Sequence, residues 1–535
     1  MTERYVELHC RSAFSFLRGA SMPEGLAVRA AELQMPAVAL CDRDGVYGAP
    51  RFFSHACEAG VRPIVGAELT MENQTVLPVL VQSRIGYENL CQLLTRAHLR
   101  NEKGKCSVRW DELAEFSQGL VALAELPHAS RIKQLLAAFG PHNLFIEIQR
   151  HRIRGEEWAN KARIDLAQQF RLPLLATNGA LYAVEEHRPI LDVFTCIRNH
   201  THLDAAGKLL EQNAERYLKS AAQMCELFRD IPEAIRNTVR LAERLDFTLE
   251  NLGYEFPSYP VPTGQPMDFF LREQALAGAL KRYGEVPAKV RKQLDDELAL
   301  IEKLKVAGYF LIVWDIVKFC HENDIMAQGR GSAANSTVCF CLGITAVDPL
   351  KFHTLFERFL TEGRKSCWPD IDIDLPSGDR RECVIQEIYQ RYGKHGAAMT
   401  ANVITYRGRS AAREIGKALN LSSDVLNRFS NLYANGDFPH TLDLPAQMEK
   451  SGLPKAHPRA PAFAALCKAI HGLPRHLGQH SGGMIICQGK LDRVVPLENA
   501  SMPNRVVAQW DKDDCEGLGI IKVDFLGLGM MSVLQ

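Results

Sequence analysis

Long apolar runs are missing from this chain, and so is net charge. No segment reaches the length of a transmembrane helix, and the start, MTERYVELHCRS, lacks the apolar core of a signal peptide. A soluble, cytoplasmic protein without membrane contact is the expectation. Lys+Arg and Asp+Glu are equal at 63 each, so no global charge advertises a polyanionic partner, and any basic surface must be local. The 15 cysteines form no CxxC pair and no regular ladder. That sets aside zinc ribbons and a disulfide framework, and leaves free thiols in a reducing compartment. Internal repeats and low-complexity tracts are absent too.

What remains is the composition of an ordinary globular protein, 46% hydrophobic and 24% charged over 535 residues, long enough for several domains. Residues 1 to about 200 alternate short apolar runs (MPAVALCD, RPIVGAEL, NLFIEIQ, LPLLATN) with helical stretches. Strands alternating with helices predict an α/β domain with much parallel pairing. GYEFPSYPVPTGQPM reads as a linker, and residues 268–325 as mainly helical. A basic cluster there (Lys281, Arg282, Lys289, Arg291, Lys292) reads as a solvated helix face. A mostly helical insert follows residue 400, and strands return in GGMIICQ, RVVAQW and GIIKVDFLG.

The chemistry concentrates in SCWPDIDIDLPSGDRR, where Asp370, Asp372 and Asp374 alternate with isoleucines between Pro369 and Pro376. Alternation predicts a strand that buries Ile371 and Ile373 behind a face of carboxylates. Acids two apart lie roughly 7 Å from one another, and at an effective dielectric of about 20 each pair repels by roughly 2.4 kcal/mol. Such a face needs solvent or cations. An EF-hand is excluded, because its sixth and twelfth positions hold Leu375 and Arg381 rather than Gly and Glu. A solvated polar strand and a two-metal site remain. In AQGRGSAANSTVCFCLGI, Gly329 and Gly331 permit a turn, Ser332 is the expected N-cap of a helix, and Arg330 adds charge. This is neither a Walker A loop nor a dinucleotide fingerprint. In IIKVDFLGLG an extended KVD puts Lys522 and Asp524 on one face, and LFERFLTEGRK offers Arg358 and Arg364.

QGRGSAANS, LFERFL, PDIDID, YRGRSAAREIGKAL, LGQHSGGMII and KVDFLGLG together resemble bacterial C-family DNA polymerases of the DNA polymerase III alpha type. ELHCRSAFSFLRGAS, RHLGQHSGG and QWDKDDCEGLG are more similar to the error-prone branch. The resemblance implies an α/β multidomain chain: a PHP-type α/β barrel-like domain (1–240), then a polymerase palm (241–401 and 480–535) interrupted by a mostly helical thumb (402–479). It implies template-directed DNA synthesis, error-prone or damage-induced, by two-metal transfer from dNTPs to a primer 3′-hydroxyl. Asp370, Asp372 and Asp524 then match the carboxylates around two Mg²⁺, with Asp374 in support. Gly331, Ser332, Arg358, Arg364 and Lys522 match nucleotide-binding positions. Arg407, Arg409, Arg413 and Lys417 are spaced to meet the phosphates of primer–template DNA. A sliding clamp and damage-response polymerase subunits are expected partners through regions past Gln535, since the chain stops within the apolar run GLGMMSVLQ.

The PHP resemblance comes with departures. Intact metal sites begin with HxH, whereas this chain reads His9-Cys10-Arg11; the later Asp-His pair reads Asp42-Arg43, and Gly179 and Leu181 replace an Asp and a His. His9, Asp42, Glu68, His98 and His151 remain. Arginine cannot ligate a metal, and two arginines in the site can replace the cations electrostatically. A structural PHP domain without nuclease activity or a metal cluster is the expectation. The alternatives are a PHP-type phosphoesterase and a non-catalytic DNA-binding fragment lacking fingers.

Overall fold

The computed structural model describes residues 4–125, 128–250, 252–262, 264–360, 369–432, 444–454 and 456–535. The chain divides into two compact units, one of residues 1–250 with 403–478 and the other of 251–402 with 479–535.

In the first unit seven strands pair in chain order: β1 (Glu7–Cys10), β2 (Ala37–Arg43), β3 (Arg62–Thr70), β4 (Val76–Val81), β5 (Leu120–Ala124), β6 (Leu144–Ile148) and β7 (Leu174–Ala176). The four apolar runs picked out in the sequence become β2, β3, β6 and β7. Pairing is parallel except around β4, whose two neighbours run antiparallel to it. A bridge from Cys10 to Ala180 joins the end of β1 to the segment after β7, so the sheet curls upon itself. Each strand is short and buried nearly throughout, as a sheet covered on both faces requires. The helices Gly408–Ala418, Ser423–Leu432 and Ala460–Ala469 belong to this unit. Tyr406 stacks on Phe194 with ring centroids 5.7 Å apart, and Phe429 meets Phe463 edge-on at 5.1 Å.

The second unit holds a mixed sheet in the order β12-β13-β10-β11-β14-β9-β8. Its strands are β8 (Gln328–Arg330), β9 (Asp372–Pro376), β10 (Ala397–Thr405), β11 (Pro474–Ile486), β12 (Leu497–Asn499), β13 (Val506–Ala508) and β14 (Lys522–Leu528). Helices Met267–Tyr283, Ala288–Lys303 and Ala307–Glu322 occupy the stretch expected to be helical. The last, AGYFLIVWDIVKFCHE, is buried along most of its length, and its Tyr309 hydroxyl accepts a hydrogen bond from Ile371 N (3.0 Å).

Two expectations need correction. The stretch read as a linker is strapped to the second unit: the Tyr254 hydroxyl meets Ile486 O (2.7 Å) and Ile521 O (3.1 Å), and Gln488 N donates to Glu255 O (2.8 Å). The helix cap is Ser336, not Ser332. A 3₁₀ turn spans Gly331–Asn335, and the helix Thr337–Cys341 starts after Ser336, whose Oγ accepts from Cys339 N. The cause is remote in sequence: the buried Glu297 carboxylate takes Thr337 N (3.0 Å), Val338 N (3.1 Å) and Ser336 Oγ (2.8 Å). A carboxylate thus fills the N-terminus of this helix.

Candidate active site

Strand register builds the second unit's acid cluster. β9 and β14 run parallel with Asp372 opposite Asp524, which brings two carboxylates side by side. Ile371, Ile373, Val523 and Phe525 are buried behind them, so the alternation forces the acids to the other face. Asp370 lies just before β9 rather than within it, and Ser332 Oγ donates to its carbonyl (3.3 Å). One oxygen each from Asp370, Asp372 and Asp524 falls within 4.8 Å of the others, the only such convergence of potential ligands found among the described residues.

The electrostatics suit a cation. Burial, then Asp370 and Asp524, push the Asp372 carboxyl up to about 6. Asp524 is 6% exposed, and its Oδ1 has no hydrogen-bond partner among the described residues. Lys522 Nζ bridges Asp524 Oδ2 (2.6 Å) and Asp370 Oδ1 (2.9 Å), and against the effect of burial these acids hold its ammonium above its ordinary range. That ammonium touches two of the three carboxylates, and the third, Asp372, keeps the raised carboxyl that burial and its acidic neighbours impose. Three converging carboxylates with an orphaned oxygen fit a hard divalent ion. Room is kept by Gly483, opposite Asp524 on β11, where a Cβ would lie 2.9 Å from Asp524 Oδ1 and 2.8 Å from Thr400 Oγ1.

Asp374 stands apart from the triad, with Arg330 Nε 3.2 Å from its Oδ1. Gly331 adjoins the cluster: it has φ of 69°, and a Cβ there would be 3.8 Å from Asp372 Oδ2. Arg358 is exposed at the end of the turn Phe356–Arg358, which packs beside Gly331–Asn335. Arg364 lies outside the described residues. Two neighbours were missed in the sequence although both sit in the quoted motifs. Lys512 Nζ is 3.8 Å from Asp370 Oδ2. His480 Nδ1 accepts from Gly483 N (2.8 Å) and lies 4.0 Å from Asp524 Oδ1.

In the first unit, Arg407, Arg409, Arg413 and Lys417 are all exposed, the first capping and the others lying along the helix Gly408–Ala418. The PHP-type positions are buried and engaged. His9 gives one ring nitrogen to Glu147 Oε1 (2.7 Å) and the other to Glu68 Oε1 (2.7 Å). Burial alone would lower its pKa, but Glu147 and Glu68 push it up to about 10, which makes it an imidazolium. Glu68 also meets Arg11 Nε (3.0 Å) and Arg43 Nε (2.6 Å). Against its burial, these arginines and then His9 hold it well below the usual carboxylate range. Asp42 is occupied by Ser12, Ser15 and Gly48 N. His98 Nε2 meets Asp44 O (2.7 Å), and His151 spends its nitrogens on Glu156 (2.8 Å) and Asn178 O (2.8 Å). Because His9 faces a different carboxylate with each nitrogen, these groups do not converge on one point.

Residues 7–151 match the PHP domain, and residues 269–527 match the bacterial DNA polymerase III alpha NTPase domain. The chain is 39% identical to an error-prone DNA polymerase of Rhodopirellula baltica, with 99% of this chain and 48% of that protein aligned. It is 39% identical to one of Bradyrhizobium diazoefficiens (100% and 48% aligned) and 40% identical to one of Mycolicibacterium paratuberculosis (99% and 50%). The chain spans about half the length of the curated relatives it matches.

Proposed function

Starting from a chain that belongs to the bacterial DNA polymerase III alpha family and carries its PHP domain, we propose that Asp370, Asp372 and Asp524 are the metal-binding carboxylates of a DNA-synthesising site. The observation that carries this reading is the β9–β14 register, which sets Asp372 beside Asp524 while Asp524 Oδ1 lacks a partner. Held by these three carboxylates, two magnesium ions would supply activation of a primer 3′-hydroxyl and neutralisation of charge on the leaving pyrophosphate. Asp372 and Asp524, fixed on adjacent strands, hold their oxygens in place before substrate arrives, so little reorganisation is needed. Lys522 and Arg358 bind the triphosphate of a dNTP, with Arg364 as a further candidate. Gly331 and Ser332 line its path, the left-handed turn at Gly331 lying beside Asp372. On this reading 241–401 and 480–535 form the palm and 402–479 the thumb, with Arg407, Arg409, Arg413 and Lys417 holding the primer–template backbone without sequence choice. The relatives' names support error-prone synthesis, and damage-induced synthesis is part of the same reading. Engagement of Glu68 by His9, Arg11 and Arg43 supports a structural PHP domain without hydrolase chemistry.

The test is Mg²⁺-dependent primer extension by this chain beside its Asp370→Ala and Asp372→Ala variants, together with Mg²⁺-dependent dNTP binding by all three. Loss of extension and of dNTP binding in both variants is expected. Extension that survives both substitutions overturns the assignment.

A further inference from the structure

The three carboxylates of the triad are not held alike. Asp372 and Asp524 sit in paired strands, and the ladders that β9 makes with β8 and β14 both end at Asp372. Asp370 and Ile371 precede them in the chain and lie outside both ladders. Asp370 nevertheless converges with the other two acids. Something other than strand pairing places it.

The peptide joining Asp370 to Ile371 is held at both edges. Its N–H donates to the Tyr309 hydroxyl (3.0 Å), and its carbonyl accepts from Ser332 Oγ (3.3 Å). A trans peptide is planar, with N–H and C=O on opposite edges. Two hydroxyls on those edges therefore fix the rotation of the plane, and with it the direction in which the Asp370 side chain leaves the backbone. Lys522 and Lys512 reach only the far end of the residue, at its carboxylate (2.9 and 3.8 Å).

Both hydroxyls are themselves anchored. Tyr309 stands in the first turn of the helix Ala307–Glu322 and is 1% exposed. Its ring packs on Phe256, with centroids 5.4 Å apart, and edge-on to Phe310 at 6.2 Å. Phe256 belongs to the strap that Tyr254 fixes to the sheet. Burial holds the Tyr309 phenol well above its ordinary range. The bond from Ile371 N opposes this, and the charges of Asp370 and Asp524 add to it, so the oxygen stays a neutral hydroxyl. Ser332 rides on the turn Gly331–Asn335, which leads into Ser336 and its bond to the buried Glu297.

We propose that Tyr309 and Ser332 are positioning residues of the triad, clamping the 370–371 peptide so that Asp370 is aimed at Asp372 and Asp524 before a metal is bound. The clamp rests on the assignment of the triad as the metal site. Each hydroxyl acts through the Asp370 backbone. Without the clamp Asp370 must be ordered on binding, and that cost is subtracted from the affinity.

The test is Mn²⁺ affinity, read by electron paramagnetic resonance with the metal alone, without DNA or nucleotide. Tyr309→Phe removes one oxygen and is expected to weaken Mn²⁺ binding about three- to tenfold. A smaller weakening is expected in Ser332→Ala, whose bond is longer, with recovery in Ser332→Thr. Tyr389→Phe controls for lost stability: its buried hydroxyl also meets backbone in this unit, at Val506 O (3.0 Å) and Val506 N (3.1 Å), but on β13, separated from β9 by β10, β11 and β14. There the melting temperature is expected to fall while Mn²⁺ binding matches the parent's. Asp372→Ala, which removes a ligand outright, supplies the reference for loss. If Tyr309→Phe binds Mn²⁺ as the parent does, or weakens it no more than Tyr389→Phe, the clamp is overturned, and loss in Asp372→Ala leaves the triad standing. Mn²⁺ binding indifferent to Asp372→Ala overturns the triad assignment and the clamp with it.

Discussion

Two groups of acids in this molecule meet opposite electrostatic fates. In the first unit Glu68 is surrounded by an imidazolium and two guanidinium groups, all supplied by the chain. In the second, Lys522 bridges Asp370 and Asp524, Lys512 and Arg330 stand 3.8 Å from Asp370 and 3.9 Å from Asp372, and Asp524 Oδ1 has no hydrogen bond among the described residues. Geometry separates them as firmly as charge. The acid triad converges, because neighbouring parallel strands place Asp372 and Asp524 in register. The PHP-type groups diverge, because His9 bonds to different carboxylates with its two nitrogens. Carboxylate content alone therefore does not set the two groups apart; convergence does.

The sharpest way to break this contrast is at the triad. Asp372→Ala or Asp524→Ala is expected to lower primer extension by about 10³-fold, equivalent to about 4 kcal/mol, with the melting temperature little changed. Next in size is Glu68→Gln, which leaves Arg11 and Arg43 without the carboxylate they share and His9 with Glu147 alone. A loss of about 3 kcal/mol or more in urea unfolding is expected, with no change in metal binding at the triad.

A third effect follows from Glu7, buried beside His9. Burial raises its carboxyl to about 7, despite donors from Tyr5, Asn178 N and His9 N. A folded pKa above the unfolded value means that the contribution to stability is fully present below about 4.5 and is lost as pH rises through about 7. The total is about 3 kcal/mol. Stability measured from pH 5 to 7.5 should fall more steeply in the parent than in Glu7→Gln; equal slopes would count against it. The smallest effect is at Gly483→Ala, where the new methyl group would press on Asp524 Oδ1 and Thr400 Oγ1. A cost of about 1 to 2 kcal/mol is expected, together with weaker metal binding, because the displaced group is a proposed ligand.

Much of this was legible in the sequence where the signal is local. Apolar runs such as MPAVALCD and RPIVGAEL became β2 and β3, and the Asp-Ile alternation placed the isoleucines in the core. KVD put Lys522 beside Asp524, as an extended backbone must. Features decided by distant partners were not legible. The choice of Ser336 over Ser332 as helix cap depends on Glu297, about forty positions earlier. Lys512, at the start of the helix Lys512–Gly517, and His480, on β11, reach the triad only through the tertiary fold. Likewise, the sequence shows two arginines replacing ligands, but not that both close on Glu68.

The most direct measurement is Mn²⁺ binding, read by electron paramagnetic resonance on the parent chain, Asp372→Ala and Glu68→Gln. Tight Mn²⁺ binding that is lost in Asp372→Ala and retained in Glu68→Gln is the predicted result. Binding that survives Asp372→Ala and disappears in Glu68→Gln would place the metal in the PHP domain and contradict the assignment of the two sites.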